Sequence, residues 1–226
     1  MSLDAIIKIG GSLSRGNGLA ALCLEISRLG RRRPLLVVPG GGEFADLVRK
    51  IYARYALSES AAHCMALLAM DQYGYVLNQL IPGSSRAKDL AEARRIAESG
   101  SPSILLPSAE ILHSDPLPHS WAVTSDTIAA WVAYATGCRR LVLLKDVDGV
   151  FMDKEASGQP DEVIAELTVE QLSKIDGGVD RQLSRFLART PLETWVISGL
   201  HPERLVELMD TGRTTGTCID TSAYCP

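Results

Sequence analysis

Near its start the chain carries Asp4-Ala5-Ile6-Ile7-Lys8-Ile9-Gly10-Gly11-Ser12, and a helical pattern follows this stretch. The apolar run predicts a strand, and the lysine and two glycines mark the place where that strand ends. Glycine lets the backbone come close to a ligand, and free N–H groups at a helix start favour negative charge. A lysine beside such a turn therefore suits an oligophosphate, although Gly-Gly after a strand is more often a plain turn.

Apolar runs alternate with helical patterns along almost the whole chain. Strands are predicted at 4–9, 34–38, 103–106, 140–145 and 193–198. Helices are predicted at 18–29, 42–56, 58–80, 88–98, 125–135, 168–174, 179–188 and 202–209. Residues 35–38 and 141–144 are apolar without a break, as expected for strands that helices cover on both faces. The pattern predicts one α/β domain over residues 1–226, a three-layer αβα sandwich with a mainly parallel central sheet.

The composition argues against several classes of partner and site. The chain has 23 basic and 27 acidic residues and no extended basic stripe, so nucleic acid is not expected as a partner. No stretch has the length of a membrane span and no leader pattern precedes the first strand, which predicts a cytoplasmic protein without a membrane partner. The five cysteines and four histidines are scattered, which favours reduced thiols and predicts no metal site built by the protein.

A second glycine cluster, Gly40-Gly41-Gly42, comes directly after the strand 35–38 and before Glu43. Three consecutive glycines cost backbone entropy, whereas one glycine would usually suffice for a turn that needs a positive φ. We therefore favour a close backbone approach to a ligand over a plain turn at this position.

Two further segments lie at junctions between predicted strands and helices. Thr124-Ser125-Asp126-Thr127 opens a helix, and taken alone such a cluster is simply an N-cap. The segment from Lys145 to Phe151 follows the strand 141–144, and its carboxylates could bind a cation or a hydroxyl. Asp-x-Asp-Gly is also a common turn. In an α/β fold, ligands bind beyond the carboxyl ends of the strands, where these segments are expected.

Taken together and in this order, the four segments resemble those of the amino acid kinase superfamily, which includes acetylglutamate, carbamate, uridylate and isopentenyl phosphate kinases. The closing Thr215-Gly216-Thr217-Cys218-Ile219 also resembles the last strand of that superfamily. The resemblance covers nearly the whole chain. It implies phosphoryl transfer from ATP to a small molecule, with Mg²⁺ sharing the neutralisation of charge and with no covalent enzyme intermediate.

The resemblance also implies roles for the matching residues. The catalytic and phosphate-binding residues it implies are Lys8, Gly10, Gly11, Ser12, Asp126 and Arg181. The acceptor-binding residues are Gly40, Gly41, Gly42, Glu43, His63 and Thr124. The nucleotide-binding residues are Lys145, Asp146, Asp148, Gly149, Val150, Phe151, Gly177 and Gly178. Asp126 has the place of the acidic residue that orients the phosphate-binding lysine.

One segment departs from the superfamily pattern. Members commonly carry Gly-Gly-Met-x-x-Lys, whose lysine neutralises charge on the leaving phosphate. Here Gln182 occupies the place of that lysine, with Arg181 beside it. Either Arg181 substitutes, or a cation comes from elsewhere, with Lys174 the nearest alternative, or activity is reduced.

Within the superfamily, the chain looks most like the small kinases of methanofuran biosynthesis, which phosphorylate the monophosphate of an aminomethyl-furanmethanol to a diphosphate. This similarity lies in residues 39–46, in residues 60–66 and 70–75 of the predicted long helix, and in Val179-Asp180. Uridylate kinases, for which Arg49 could supply the usual arginine, are an alternative, as are isopentenyl phosphate and amino-acid carboxylate kinases. A nucleotide-binding or storage relative without catalysis belongs to a different class.

Three expectations concern the acceptor side. His63 is most simply a partly buried histidine, or else it contacts the acceptor phosphate, while Glu43 and Asp46 are candidates to meet a cationic amine. The helix 58–80 is apolar around most of its circumference, which predicts burial under other elements or in the interface of a homo-oligomer. The order of the segments predicts an acceptor-binding half at 1–122 and a nucleotide-binding half at 123–226.

Overall fold

The structure is a computed structural model that describes residues 2–151, 163–175 and 178–221. Within these residues one eight-stranded sheet has the order β3-β4-β2-β1-β5-β7-β8-β6. The strands are β1 (Ala5–Ile9), β2 (Leu35–Pro39), β3 (Ser85–Ala87), β4 (Ser103–Leu105), β5 (Arg140–Lys145), β6 (Glu166–Thr168), β7 (Glu193–Ser198) and β8 (Thr217–Asp220). Neighbouring strands pair in parallel, except that β8 is antiparallel to β7.

A 3-10 turn (Gly11–Arg15) follows β1, and the described α-helices lie between consecutive strands except between β5 and β6, where the connection includes residues outside the described ranges. The helices are α1 (Leu19–Gly30), α2 (Gly42–Tyr55), α3 (Glu59–Leu80), α4 (Leu90–Glu98), α5 (Pro107–Ser114), α6 (Ser125–Thr136), α7 (Val169–Leu172), α8 (Arg181–Leu187) and α9 (Pro202–Thr211). None of the described helices combines the length and the hydropathy that crossing a membrane requires.

The sheet is the middle of three layers. Every residue of β1 and β2 is buried, as their unbroken apolar sequences predict. Side chains alternate between faces, so Ile6 packs with α4, α6 and α8 while Ile7 packs with α1 and α9. The α/β sandwich with a mainly parallel sheet is confirmed.

Three short elements, α5, β3 and β6, are absent from the sequence-based expectation. The short helix α5 begins with a proline at its first position, where the missing N–H costs no hydrogen bond, but its eight residues are too few to show a clear period. The strand β3 has three residues and lies between the predicted helices 58–80 and 88–98. Such short elements depend on the pairing that the sheet offers, here with β4.

The helix α3 is buried along one face. Ser58 caps its start by accepting a hydrogen bond from the backbone N–H of Ala61. Its buried positions include Leu67 and Tyr73, whereas Leu68, Tyr75 and Val76 are exposed hydrophobic residues. Burial by other elements of the chain is therefore incomplete, and an oligomer interface stays a prediction.

Candidate active site

Two lysines and one aspartate meet at the carboxyl edge of the sheet. Lys8 Nζ lies 2.7 Å from Asp126 Oδ1, and Lys145 Nζ lies 2.5 Å from Asp126 Oδ2. The side chains of Lys8 and Asp126 are almost wholly buried, and that of Lys145 is 15% exposed. One carboxylate thus holds two ammonium groups where ligands of α/β proteins bind.

The strand register explains why these three side chains meet. Lys8 pairs with Leu143 across β1 and β5, so Lys8 and Lys145 lie near the ends of adjacent parallel strands. Because side chains alternate, both lysines face the layer that contains α6. Asp126 lies in the first turn of α6, behind the N-cap residue Thr124, where the helix dipole favours a carboxylate.

Burial and charge act in opposite directions in this cluster. Burial lowers the pKa of Lys8 to about 8, with Asp126 opposing the shift. Burial also disfavours the charged form of Asp126, but Lys8 and Lys145 overcome it and bring the pKa of Asp126 down to about 2. The aspartate is therefore ionised near neutral pH, and two ammonium groups beside it leave excess positive charge to attract phosphate.

A second cluster of similar composition lies beside the first. Arg15 is paired with Asp46, and Arg49 Nη1 lies 2.9 Å from Asp46 Oδ1. These side chains line a chamber of about 280 Å³ together with Gly11, Ser12, Gly42, Thr124 and Ser125. We call this space the polar chamber. Its arginines are more than half exposed, in contrast to the buried lysines.

A smaller space, the inner chamber, adjoins the polar chamber and has a volume of about 70 Å³. The two chambers share the residues Gly41, Ala45, Arg49, Thr124 and Ser125 in their walls. The remaining wall of the inner chamber comes from α3, from α6 and from the segment that contains Trp121. The two chambers together form one bipartite cavity. Ser125, which lines both chambers, directly precedes Asp126 in the sequence.

The glycines of the two predicted phosphate loops pack against each other. A Cβ atom on Gly11 would lie 2.4 Å from the backbone nitrogen of Gly42, and a Cβ atom on Gly40 would lie 2.7 Å from that of Gly11. Gly42 also has φ +55°, a conformation that favours glycine. Gly11 and Gly40 are thus required because the two loops are in contact, and Gly42 is required by its backbone conformation. A close approach of these loops to a ligand stays a prediction.

Asp180 joins the starts of two helices. Its Oδ2 accepts hydrogen bonds from the backbone N–H and the hydroxyl of Thr124 at 3.1 and 2.7 Å, and from the N–H of Thr127 at 3.1 Å. Its Oδ1 accepts from the Thr127 hydroxyl and from the N–H of Leu183. Asp180 therefore caps α8 and fixes the first turn of α6, which carries Asp126. An aspartate before a helical pattern is a capping signal, but the sequence does not reveal that it serves two helices.

The segment that departs from the superfamily pattern does not place Gln182 in the lysine cluster. Gln182 lines an open groove with Arg185 and Phe186, and neither Lys8 nor Lys145 is among the described residues that line that groove. Arg181 is an exposed residue at the start of α8, and Lys174 is paired with Glu170 on the surface. Gly178 is exposed, and Gly177 lies outside the described residues.

The segment expected to line the nucleotide is tied to the C-terminal part of the chain. Asp146 is exposed, while Asp148 Oδ1 lies 2.5 Å from Arg204 Nη1 of α9. The N–H of Val150 donates to the hydroxyl of Thr217 in β8 at 2.8 Å, and the Val150 side chain is buried in the core. Gly149 is buried, and Phe151 forms an isolated antiparallel bridge with Val163.

The remaining predicted acceptor residues have different environments. His63 is buried, lines the inner chamber and stacks on His119 with ring centroids 4.6 Å apart. Burial, and then His119, lower its pKa, which favours the neutral ring. Glu43 is exposed at the start of α2 and is not among the described residues that line either chamber.

A sequence profile of the amino acid kinase family matches residues 5–190. The chain belongs to this family. The amino acid kinases include a relative from Methanocaldococcus jannaschii, named [5-(aminomethyl)furan-3-yl]methyl phosphate kinase, that is 32% identical over 206 residues, 91% of this chain and 92% of the relative. An acetylglutamate kinase from Frankia casuarinae is 45% identical over 53 residues, 24% of this chain and 14% of that enzyme.

Solved structures agree with the fold of an amino acid kinase. The uridylate kinase of Archaeoglobus fulgidus superposes with a TM-score of 0.76 at 20% identity, covering 96% of this chain and all of that one. The UMP kinase of Ureaplasma parvum gives 0.72 at 15% identity over 97% of this chain and all of that one. This amino acid kinase is an enzyme that transfers a phosphoryl group from ATP to a small molecule.

Proposed function

We propose that this amino acid kinase transfers the γ-phosphoryl group of ATP to the phosphate of [5-(aminomethyl)furan-3-yl]methyl phosphate. An oxygen of the acceptor phosphate forms a bond to the γ-phosphorus, the bond from that phosphorus to the β–γ bridging oxygen breaks, and ADP leaves. The products are the furanmethyl diphosphate and ADP. The proposal extends to this chain the activity named for the M. jannaschii relative, which matches 91% of it.

The observation that carries the proposal is the position of the polar chamber. Ser125 lines this chamber, and the next residue, Asp126, holds both lysines. An acceptor phosphate between Arg15 and Arg49 would therefore lie next to a phosphoryl group held by Lys8 and Lys145. Transfer then needs positioning and neutralisation of charge, which these four cations supply.

We assign the second phosphate-binding cation to Lys145, whereas the sequence suggests Arg181 or Lys174. Lys145 shares Asp126 with Lys8, so both ammonium groups can reach the same oligophosphate. Arg181 and Lys174 lie at exposed positions outside this cluster. Charge on the leaving ADP would thus be neutralised from the end of β5 instead of from the start of α8.

We also propose that the acceptor binds to the half at 1–122 and ATP to the half at 123–226, with Mg²⁺ on the ATP phosphates. Mg²⁺ would supply further neutralisation of the phosphoryl charge. Among the described residues no group of three histidine, cysteine, aspartate or glutamate side chains could hold a metal ion. In kinases Mg²⁺ is usually bound by one or two carboxylates together with the substrate phosphates.

The direct test is turnover with a panel of acceptors. We expect ADP release and formation of a diphosphate, followed by ³¹P NMR, with the aminomethyl-furanmethyl phosphate. We expect at least tenfold lower kcat/KM with UMP, isopentenyl phosphate and N-acetylglutamate, which is about the smallest discrimination that a misfit of one methylene group in a pocket produces. Turnover of UMP as the best acceptor would assign a uridylate kinase instead, and ATP binding without turnover of any acceptor would favour a non-catalytic relative.

We further propose a homo-oligomer that covers the exposed hydrophobic residues of α3. Leu68, Tyr75 and Val76 lie on the surface of the single chain, whereas Leu67, Met70, Tyr73 and Leu77 of the same helix are buried. Sedimentation velocity of the purified protein would show a species heavier than 24.4 kDa. A monomer at every accessible concentration would contradict the interface.

A further inference from the structure

The size of the inner chamber restricts what can enter it. Its volume is about 70 Å³, whereas sites for drug-sized ligands occupy roughly 300–1,000 Å³. One water needs about 10–15 Å³ of such space, so the chamber has room for a handful of waters or one small ring. A nucleoside has a base and a ribose and would not fit beside a phosphate held in the polar chamber.

The walls of the inner chamber are apolar, with two polar atoms that have no partner. Leu67, Met70 and Ile128 are buried residues of the wall. The indole Nε1 of Trp121 and the imidazole Nε2 of His63 are buried without a hydrogen-bond partner among the described residues. Buried polar groups are nearly always paired, so these two atoms call for a ligand or a water that supplies the partner. The indole N–H can only donate, which requires an acceptor atom on that ligand.

Among the described residues that line the inner chamber, Glu59 is the only one with a carboxylate. Glu59 is an exposed residue at the start of α3, and none of the ion pairs found between described residues includes it. Asp46, the nearest carboxylate of the polar chamber, is already paired with Arg15 and Arg49. Glu59 can therefore meet a cation, and the exposed Glu43 does not reach either chamber.

Arg49 lines both chambers and can therefore determine which end of a ligand lies in the polar chamber. Its guanidinium lies 5.3 Å from the centre of the Trp121 ring and also lines the polar chamber. A phosphate bound to Arg49 thus directs the rest of a short acceptor towards Trp121, His63 and Glu59. Arg15 lines the polar chamber and not the inner one, whereas Glu59 lines the inner chamber and not the polar one, so a positive and a negative group lie in different parts of the bipartite cavity.

We propose that the inner chamber is a subsite for a single small ring that carries an alkylammonium group. The ring lies between the apolar wall and Trp121, whose indole N–H donates to an oxygen of the ring or of the ester. Glu59 binds the ammonium group and determines specificity for an amine-bearing phosphomonoester. The proposal deepens the proposed function and rests on it for the position of the phosphate.

Calorimetric binding without ATP tests the subsite independently of turnover. The probes are [5-(aminomethyl)furan-3-yl]methyl phosphate, the analogue with methyl in place of aminomethyl, and UMP. The wild-type protein should bind the amine about tenfold more tightly than the methyl analogue, the scale of one charged hydrogen bond, and UMP more weakly than either. Glu59→Gln should remove the preference for the amine and leave binding of the methyl analogue within about twofold.

Trp121→Phe should weaken binding of both furan phosphates by about threefold to tenfold, because it deletes the indole N–H but keeps a ring. The matched controls are Glu203→Gln, also a glutamate in the first turn of a helix, and Trp195→Phe, whose indole N–H bonds to Glu193. Both controls should bind all probes like the wild type.

Several outcomes would overturn the subsite. These are an unchanged amine preference in Glu59→Gln, equal binding of UMP, or no measurable binding of either furan phosphate. Binding with the predicted dependence on Glu59 but without ADP formation would instead keep the subsite and reject the proposed function. Turnover of the amine without any dependence on Glu59 would keep the proposed function and reject the subsite.

Discussion

The site contains two clusters of similar composition in which one carboxylate holds two cations. In the first, Asp126 holds Lys8 and Lys145, and the aspartate and Lys8 are buried. In the second, Asp46 holds Arg15 and Arg49, and both arginines are more than half exposed. Exposed ion pairs contribute little to stability and rearrange easily, whereas buried ones are costly to break. The first cluster is thus preorganised by the fold, and the second can open to admit an anion.

This difference separates two demands on a kinase. Stabilising charge in a transition state requires cations that do not move during the reaction. Admitting and releasing an acceptor requires groups that exchange one partner for another. The buried cluster suits the first demand and the exposed cluster the second, so variants of the two clusters should affect different kinetic constants.

The largest effect is expected in the buried cluster. Lys8→Ala and Asp126→Asn should each lower kcat about 10²-fold or more, the scale for losing one preorganised electrostatic contact. The KM for ATP should change less. The double variant should be little worse than the worse single variant, because residues that act as a unit are non-additive. Near-wild-type turnover of both folded single variants would contradict the role of this cluster.

Replacing the second lysine gives the next largest effect. Lys145→Ala should lower kcat about 10-fold to 10²-fold, since it leaves one ammonium group on Asp126 and one fewer on the phosphates. Arg181→Ala is the matched test of the sequence-based alternative and should change kcat by less than about threefold. Equal losses in the two variants would show that the exposed arginine also takes part.

The dependence of kcat/KM on pH above neutrality should also distinguish the two clusters, because Lys8 can lose its proton there whereas the arginines of the exposed cluster stay charged. The pKa of Lys8 is lowered by burial to about 8, so its charged form is lost as pH rises through that value. We expect kcat/KM for ATP to fall above pH 8, approaching tenfold per pH unit, because kcat/KM reports the free enzyme. Asp126, with a pKa of about 2, stays ionised throughout. A profile that is flat to pH 9.5 would contradict this assignment.

The smallest effect is expected in the exposed cluster. Arg49→Met should raise the KM for the acceptor about fivefold and leave kcat within about twofold, because it weakens one solvent-screened contact. The wild-type KM should rise with added salt, and this salt dependence should be weaker in the variant. Arg54→Met, also in α2, is the control and should leave both constants unchanged. A loss in kcat with an unchanged KM would place Arg49 with the buried cluster.

The sequence predicted the fold well because most elements are long and periodic or are continuously apolar strands. It also predicted Lys8 and Asp126 as neighbours, but through resemblance to a family and not through spacing, since 118 residues separate them. Lys145 was predicted on the nucleotide side. Lys145 lies two residues after Leu143, so its side chain is on the same face of β5, the face that α6 covers. Concluding that Lys145 lies near Lys8 also requires knowing that β1 and β5 are adjacent strands.

The inner chamber was largely beyond reach of the sequence. Trp121 and Glu59 lie in separate segments of the sequence, and only the fold brings both to the wall of the inner chamber. Neither residue belongs to a segment that matches the family, and the apolar neighbours of Trp121 favour a core or interface residue. The glycine clusters correctly indicated positions where the backbone must come close to another group. The sequence could not show that this group is the other glycine loop, because neither loop alone reveals their contact.

The place of β8 in the sheet has a consequence for biosynthesis. This strand, formed by residues near the end of the chain, lies between β7 and β6 and receives the N–H of Val150 on Thr217. As the polypeptide emerges from the ribosome, the strands β1 to β4 can pair while β6 still lacks its neighbour. Residues 148–151 therefore lack the Thr217 hydroxyl until β8 has been synthesised, so a nascent chain stopped before residue 217 contains the wall residues of both chambers without this contact.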